Sequence, residues 1–393
     1  MLKDLSHDLR VTPSRDERTR QEFVASLRNH ILADMAGSMR AHYEQRVLPA
    51  FQRDHGRAPA DGDEVHDAMQ EERYFRFYSS IRYNAQEMVF RSVIPVVDRN
   101  LEDLNARARQ RPGSAVLNPG LPVPKNVSNI DVHLSPGSYH SEYQPDDVSP
   151  GAIYDNSINV FAFNQMGRDI DDIGHSFANY VRLAFPDFRP LSILDAGCTV
   201  GHNTLPWAQT FPAAQVTGVD VSAGLVRYAA ARAASLGVPA RFMQMNATQL
   251  EFPDASFDLV FSSMFLHELP LKDIRTFFRE AHRVLKPGGL FLNMELPPNN
   301  KMQAYDRFYL DWDSYYNKEP WYKPFRDQDF GQLCAAAGFG AGQFVEAVVP
   351  RYTYTPEAAF AARVNQGAQF NDRTGRLGEE IEWYAFGAWK QVP

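Results

Sequence analysis

Leu191-Ser-Ile-Leu-Asp195-Ala-Gly197-Cys-Thr199-Val-Gly201-His202 decides the fold of this chain. It reads as a short apolar strand running into a turn punctuated by Gly197 and Gly201, after which a helix begins. Glycine at those positions lets backbone approach a ligand, and the following helix points its positive end at the same place. A second strand, Val216-Thr-Gly-Val-Asp220, ends in a carboxylate 19 residues after Gly201. At the tip of that strand a carboxylate suits a ribose diol. Together the two pieces predict an α/β domain that binds a nucleoside.

Outward from this core, strands and helices alternate, the pattern of a parallel sheet with helices on both faces. Strands are expected at 192–196, 215–220, 240–245, 257–262 and 289–295, with helices near 202–210, 222–236, 271–285 and 326–338. Two late β-rich runs, 343–349 and 382–390, would close the sheet. The first 110 residues read as helical and amphipathic, with Phe23, Leu27, Ile31, Leu32 and Met35 at spacings of three and four. Pro95 is expected to kink or divide a second long run over 63–109. Residues 111–150 are rich in proline and glycine and read as a connection, too long for a passive linker. The domain plan is therefore a helical part at 1–110, the connection at 111–150, and an α/β domain at 151–393.

Composition narrows the function. The chain has 393 residues, 44% apolar, with a formal net charge of −8. An acidic balance without a basic run argues against nucleic acid as partner. There is no apolar stretch of membrane-spanning length and no leader-like start, so a soluble cytoplasmic protein is expected. Two cysteines, Cys198 and Cys334, supply neither a disulfide framework nor a thiol metal site. His133, His140 and Glu142 lack a regular ligand spacing, and no metal centre is expected.

Two further segments complete the pattern: Met245-Asn246-Ala247-Thr, and Arg283-Val-Leu-Lys-Pro287-Gly-Gly, a helix stop with a tight turn. In this order and spacing the four pieces resemble the class I S-adenosylmethionine-dependent methyltransferases, on the branch of the ubiquinone- and menaquinone-biosynthesis enzymes. The resemblance covers about residues 190–296. It implies a Rossmann-like sheet, S-adenosylmethionine as cofactor and a small organic acceptor. By it, Asp195, Gly197, Thr199 and Gly201 frame the methionine part, with His202 and Phe265 nearby. Asp220 takes the ribose hydroxyls, Val221 lies against the adenine, and Asn246 and Ala247 meet its edge. Thr199 stands where the family has glycine, and Asn246 where it often has Asp. A dinucleotide site would want Gly-x-Gly-x-x-Gly, which this turn lacks.

On the acceptor side the resemblance offers His267, after the fourth strand, as a general base, with a structural strand-end role as the alternative. Tyr139 and His140 join the catalytic candidates if the connection folds over the site. Between Tyr305 and Phe325, nine of 21 residues are aromatic. This segment, within an insertion at about 300–326, reads either as a substrate lid or as packing against the N-terminal helices. Trp312, Tyr316, Trp321 and Tyr322 are its candidate acceptor contacts. Docking of a protein substrate by the helical part, or a cofactor-binding scaffold without turnover, are the rival functions. The long N-terminal helices also suit a homodimer.

Overall fold

The fold is that of a computed structural model in which residues 2–371, 374–376 and 381–392 are described. Eight strands form one sheet: β1 (Ser114–Val116), β2 (Ser192–Ala196), β3 (Gln215–Asp220), β4 (Arg241–Gln244), β5 (Phe257–Ser263), β6 (Leu285–Glu295), β7 (Phe344–Pro350) and β8 (Glu382–Trp389). Their order is β1-β4-β3-β2-β5-β6-β8-β7. Strands β1 to β6 run parallel, and β8 is antiparallel to both β6 and β7. The predicted strands are all present. Their near-continuous apolar runs reflect burial on both faces, as parallel sheets require.

β2 lies in the middle, paired with β3 on one side and β5 on the other. There the chain's crossovers diverge, and the carboxyl ends of the strands leave a crevice. The decisive turn after β2 opens into that crevice.

Three features depart from the sequence reading. The connection is not all irregular, since its Ser114–Val116 pairs in parallel with β4 and extends the sheet. The Arg73–Gln110 helix runs unbroken through Pro95. Val93, Val96 and Val97 around the proline are fully buried, and that packing outweighs the roughly 3 kcal/mol proline penalty. Finally, the N-terminal helices do not close a core of their own. Val24, Val89, Val93 and Val97 share one apolar cluster with Val200, Leu225 and Tyr228 of the α/β part. Ile31, Met39, Tyr43 and Phe75 share another with Phe308, Trp312 and Tyr322. An amphipathic helix buries its stripe on whatever apolar face is offered, and here the faces belong to both halves.

Candidate functional site

The turn after β2 is built on left-handed backbone. Gly197 (φ +71°), Thr199 (φ +47°) and Gly201 (φ +77°) all adopt it. The Gly197 and Cys198 amides donate to the Val219 carbonyl at 2.9 and 3.1 Å, tying the turn to β3. A Cβ on Gly197 would fall 2.3 Å from the Phe265 ring, so only glycine fits beneath it. At Gly201 the space is taken by Phe242, 2.8 Å from the corresponding point. Gly201 thus serves packing and does not line the crevice, contrary to expectation.

Asp220 at the end of β3 accepts from the Thr199 amide (3.1 Å) and the Ser222 amide (3.0 Å). Ser222 in turn caps the Ala223–Leu236 helix through Leu225. Asp195 accepts from the Thr204 hydroxyl at 2.5 Å. Burial pushes both carboxyls up, Asp195 to about 7 with help from the nearby Asp220 charge, and Asp220 to about 6. A carboxylate has about four acceptor sites, and main-chain donors leave some of Asp220's unused.

These groups face a cavity of about 260 Å³. From the sheet side come Asp195, Gly197, Thr199, His202, Asp220, Val221, Phe265, His267 and Glu268. The opposite wall is apolar and comes from Val89 and Phe90 of the long helix, Tyr154, Ile158 and Phe161 of the Ser149–Phe161 helix, and Val132, His133 and Tyr139 of the connection. The connection therefore does fold over the crevice, and it carries Tyr139 to the cavity. His140 does not reach it, and neither do Asn246 and Ala247. The Asn246 carboxamide is turned back onto the Thr248 amide and hydroxyl, both at 2.9 Å, which holds the turn after β4.

His267 sits in the 3₁₀ turn Leu266–Glu268 after β5. Its Nδ1 lies 2.6 Å from Glu295 Oε2, and its ring stacks on Tyr322 with centroids 4.1 Å apart. Glu295, the last residue of β6, also accepts from the Phe265 and Leu266 amides, at 2.9 and 2.6 Å. Burial opposes protonation of His267, but Glu295, Glu268 and Glu319 outweigh it and hold the ring near 9. A general base at His267, left open by the sequence, would first have to shed that proton.

Four groups surround it: His133 and Glu268, which had no site role in the sequence reading, and Glu295 and Glu319, which it did not single out. Glu268 Oε1 lies 3.7 Å from His267 Nε2 and 3.4 Å from His133 Nε2, and Glu319 Oε1 lies 3.2 Å from His133 Nε2. A glutamate closing an otherwise apolar parallel strand was the one legible signal, for Glu295. Glu319 gave none. His133 and Leu134 both hold left-handed φ (+55° and +62°), a conformation costing non-glycine residues about 1–3 kcal/mol each.

His202 lines the cavity but is held from behind. Its Nε2 lies 2.6 Å from Asp155 Oδ1. Asp155 also receives the Tyr228 hydroxyl (2.7 Å) and faces His7 Nε2 (2.8 Å). Burial alone would raise this carboxyl, yet His7 and His202 keep it well below the usual carboxylate range. One buried carboxylate thus joins the extreme N-terminus, the Ser149–Phe161 helix, the decisive turn and the Ala223–Leu236 helix.

A family model described as a methyltransferase domain matches residues 193–289, the segment from β2 to the Pro287-Gly-Gly turn. The chain carries a class I S-adenosylmethionine-dependent methyltransferase domain. Among curated proteins, it is similar to a fatty-acid O-methyltransferase of Mycolicibacterium smegmatis, 33% identical over 32% of this chain and 44% of that protein. It is also similar to a demethylmenaquinone methyltransferase of Thermus thermophilus, 32% identical over 28% of this chain and 50% of that one. The chain thus spans about half or less of the length of these relatives. Among solved structures, phosphoethanolamine N-methyltransferase 2 of Haemonchus contortus, with S-adenosyl-L-methionine, is 18% identical, covers 60% of this chain and 57% of its own, and has a TM-score of 0.40. No helix among the described residues is long and apolar enough to cross a membrane.

The aromatic segment of this chain lies elsewhere than a lid would. Its Ala304–Tyr316 helix packs against the N-terminal helices. Trp312 sits 5.1 Å from the Tyr78 ring and donates Nε1–H to Ser79 Oγ at 2.9 Å, and Tyr316 meets Tyr83 and Trp312. Tyr322 touches the site only through the outer face of His267, and neither it, Trp312, Tyr316 nor Trp321 lines the cavity. The correction has a simple cause: the N-terminal helices offered an apolar face, and large rings gain most by burial there. Trp312→Phe should lower stability by about 0.5–1.5 kcal/mol through the lost hydrogen bond. Urea unfolding would show that change with ligand affinity unaltered, and a shift in affinity instead would return Trp312 to the binding site.

Proposed function

We propose that this chain transfers a methyl group from S-adenosylmethionine to a small, largely apolar acceptor held inside the cavity. The observation that carries the reading is one continuous cavity lined on its sheet side by Gly197, Thr199, Asp220 and Val221 and on its cap side by the connection and the long helix. Asp220 has the acceptor capacity for a ribose diol, and Val221 offers an apolar surface beside it. Asp195, Asp220, Glu268, Glu295 and Glu319 make the surroundings acidic, which suits a cationic ligand. When bound, S-adenosylmethionine supplies an already activated methyl group. The chain's work is then to orient the acceptor and keep water out. Phe265 and the turn fix the donor side, while Val89, Phe90, Ile158 and Phe161 form an apolar wall for the acceptor. The N-terminal helices already bury their apolar faces in closing this chamber, which favours a small acceptor over a docked protein.

Labelled S-adenosylmethionine and the purified chain should label small molecules in a protein-free cell extract. Label that appears only on protein would overturn the small-acceptor reading.

The raised carboxyls give a pH signature. A cationic ligand favours the ionised forms of Asp195 and Asp220, so binding must expel the protons they hold. Affinity should fall as pH drops through about 7 and then about 6, and level off once both are ionised, above about 8. Calorimetry at about pH 6.5 in two buffers of different ionisation heat should detect proton release, larger for S-adenosylmethionine than for its product, which lacks the sulfonium charge. Equal heats in both buffers would remove Asp195 and Asp220 from the cofactor site.

A further inference from the structure

His133, His267, Glu268 and Glu319 converge at the acceptor end of the cavity from three distant stretches of chain. One ligand-type atom from each lies within 4.8 Å of all the others. Three of the six edges are 3.2, 3.4 and 3.7 Å. Charge-assisted hydrogen bonds run at about 2.7–2.9 Å. The 2.6 Å contact of His267 with Glu295 shows that this site does form them where it pairs groups directly. Edges of about 3.3–3.6 Å are instead those of ligands placed about 2.0–2.2 Å around a common centre.

The supports have the same character. Glu295 holds Nδ1 of His267 and so aims Nε2 at the cluster, the carboxylate–histidine arrangement that orients metal ligands. Two main-chain amides fix Glu295 in turn. His133 is clamped through its backbone: its amide donates to the Asn317 carbonyl (2.7 Å), and its carbonyl accepts from Gln86 Nε2 (2.9 Å). Glu319 is almost fully buried, with its amide on the Ser314 carbonyl.

From this geometry we infer that His133, His267, Glu268 and Glu319 bind a first-row divalent transition-metal ion that anchors an oxygen atom of the methyl acceptor. Two imidazoles with two carboxylates suit zinc, iron(II), manganese(II) or cobalt(II), and argue against magnesium and calcium, which prefer oxygen alone. His133, His267 and Glu268 line the cavity while Glu319 is buried outside its lining, so an acceptor oxygen would enter from the cavity as a fifth ligand. The acceptor is then a small molecule with an apolar body and a hydroxyl, enol or carboxylate oxygen at one end. The metal site stands on its own geometry, whereas the acceptor's chemistry rests on the methyltransferase reading.

The test uses the full chain, stripped with a chelator, dialysed against zinc, manganese or cobalt(II), and measured for metal by mass spectrometry. One ion per chain is expected, with cobalt(II) giving visible d–d bands that change when an oxygen-donor acceptor analogue is added. Glu319→Gln and His133→Ala should each lose the bound ion, and Glu295→Gln should weaken it by about 10–100-fold. Binding of S-adenosylmethionine, measured on the same samples, reports folding and the cofactor site separately. A wild-type chain that binds S-adenosylmethionine but retains no ion overturns the metal site and leaves methyl transfer standing, the cluster then being a set of proton-shared ion pairs. Unchanged metal content in both Glu319→Gln and His133→Ala overturns the ligand set. A chain that holds the ion but not S-adenosylmethionine keeps the site and removes the proposed function.

Discussion

Asp220→Ala is expected to weaken S-adenosylmethionine binding by about 10–150-fold, the equivalent of about 1.5–3 kcal/mol for hydrogen bonds to a charged acceptor. The carboxylate is buried at the end of β3, lines the cavity, and is fixed by the Thr199 and Ser222 amides. Removing it takes away the acceptor for the ribose hydroxyls and frees the turn they would rest on. Asp220→Asn is the informative companion. It keeps the shape but places an amide against main-chain donors, so it should lose affinity as well. Titration calorimetry decides the matter, provided thermal unfolding shows the variants folded. Unchanged affinity in a folded Asp220→Ala protein would mean that the nucleoside lies elsewhere.

Asp155→Ala should have the largest effect on stability, a loss of about 3–5 kcal/mol in denaturant unfolding. The cost arises because His7, His202 and Tyr228 all direct polar atoms at this one buried carboxylate. Its removal strands three buried groups at once. Since Asp155 is held well below its unfolded value, its contribution is full above about pH 4 and is lost as pH falls towards the folded value. The variant should therefore differ most from wild type near neutrality and least in strong acid. A midpoint unmoved at neutral pH would show that the four elements are joined by apolar packing alone.

Local features carried much of the reading. The strands 192–196, 215–220 and 257–262 were legible because a parallel strand is apolar nearly throughout, and the turn between the first two was legible because left-handed backbone selects glycine. Asp195, Gly197, Asp220, Val221 and Phe265, pointed to by the turn and by the family resemblance, all line the cavity at the strand tips. Gly201 shows the limit of this logic. Its letter is right for a ligand loop, but Phe242, 41 residues later, is what needs its missing side chain. Asn246 shows it again, being used by its own turn.

The acceptor end was decided by tertiary structure. Aromatic density at 305–325 states only that large rings must be buried, not against what, and the N-terminal helices provided the face. The residues of the histidine–glutamate cluster come from positions 133, 267–268, 295 and 319, each ordinary in its local context. His133 sits in a proline-rich connection, and Glu319 follows a helix with no pattern to single it out. Their meeting depends on the connection crossing the sheet and on the long helix holding it there through Gln86. Sequence by itself determined the sheet and the turn, because those follow from backbone periodicity and sterics over a few residues, and the resemblance of its ordered motifs to a known family added the cofactor class. Only the packed fold decided which imidazoles and carboxylates face one another, because that depends on contacts between segments far apart in the chain.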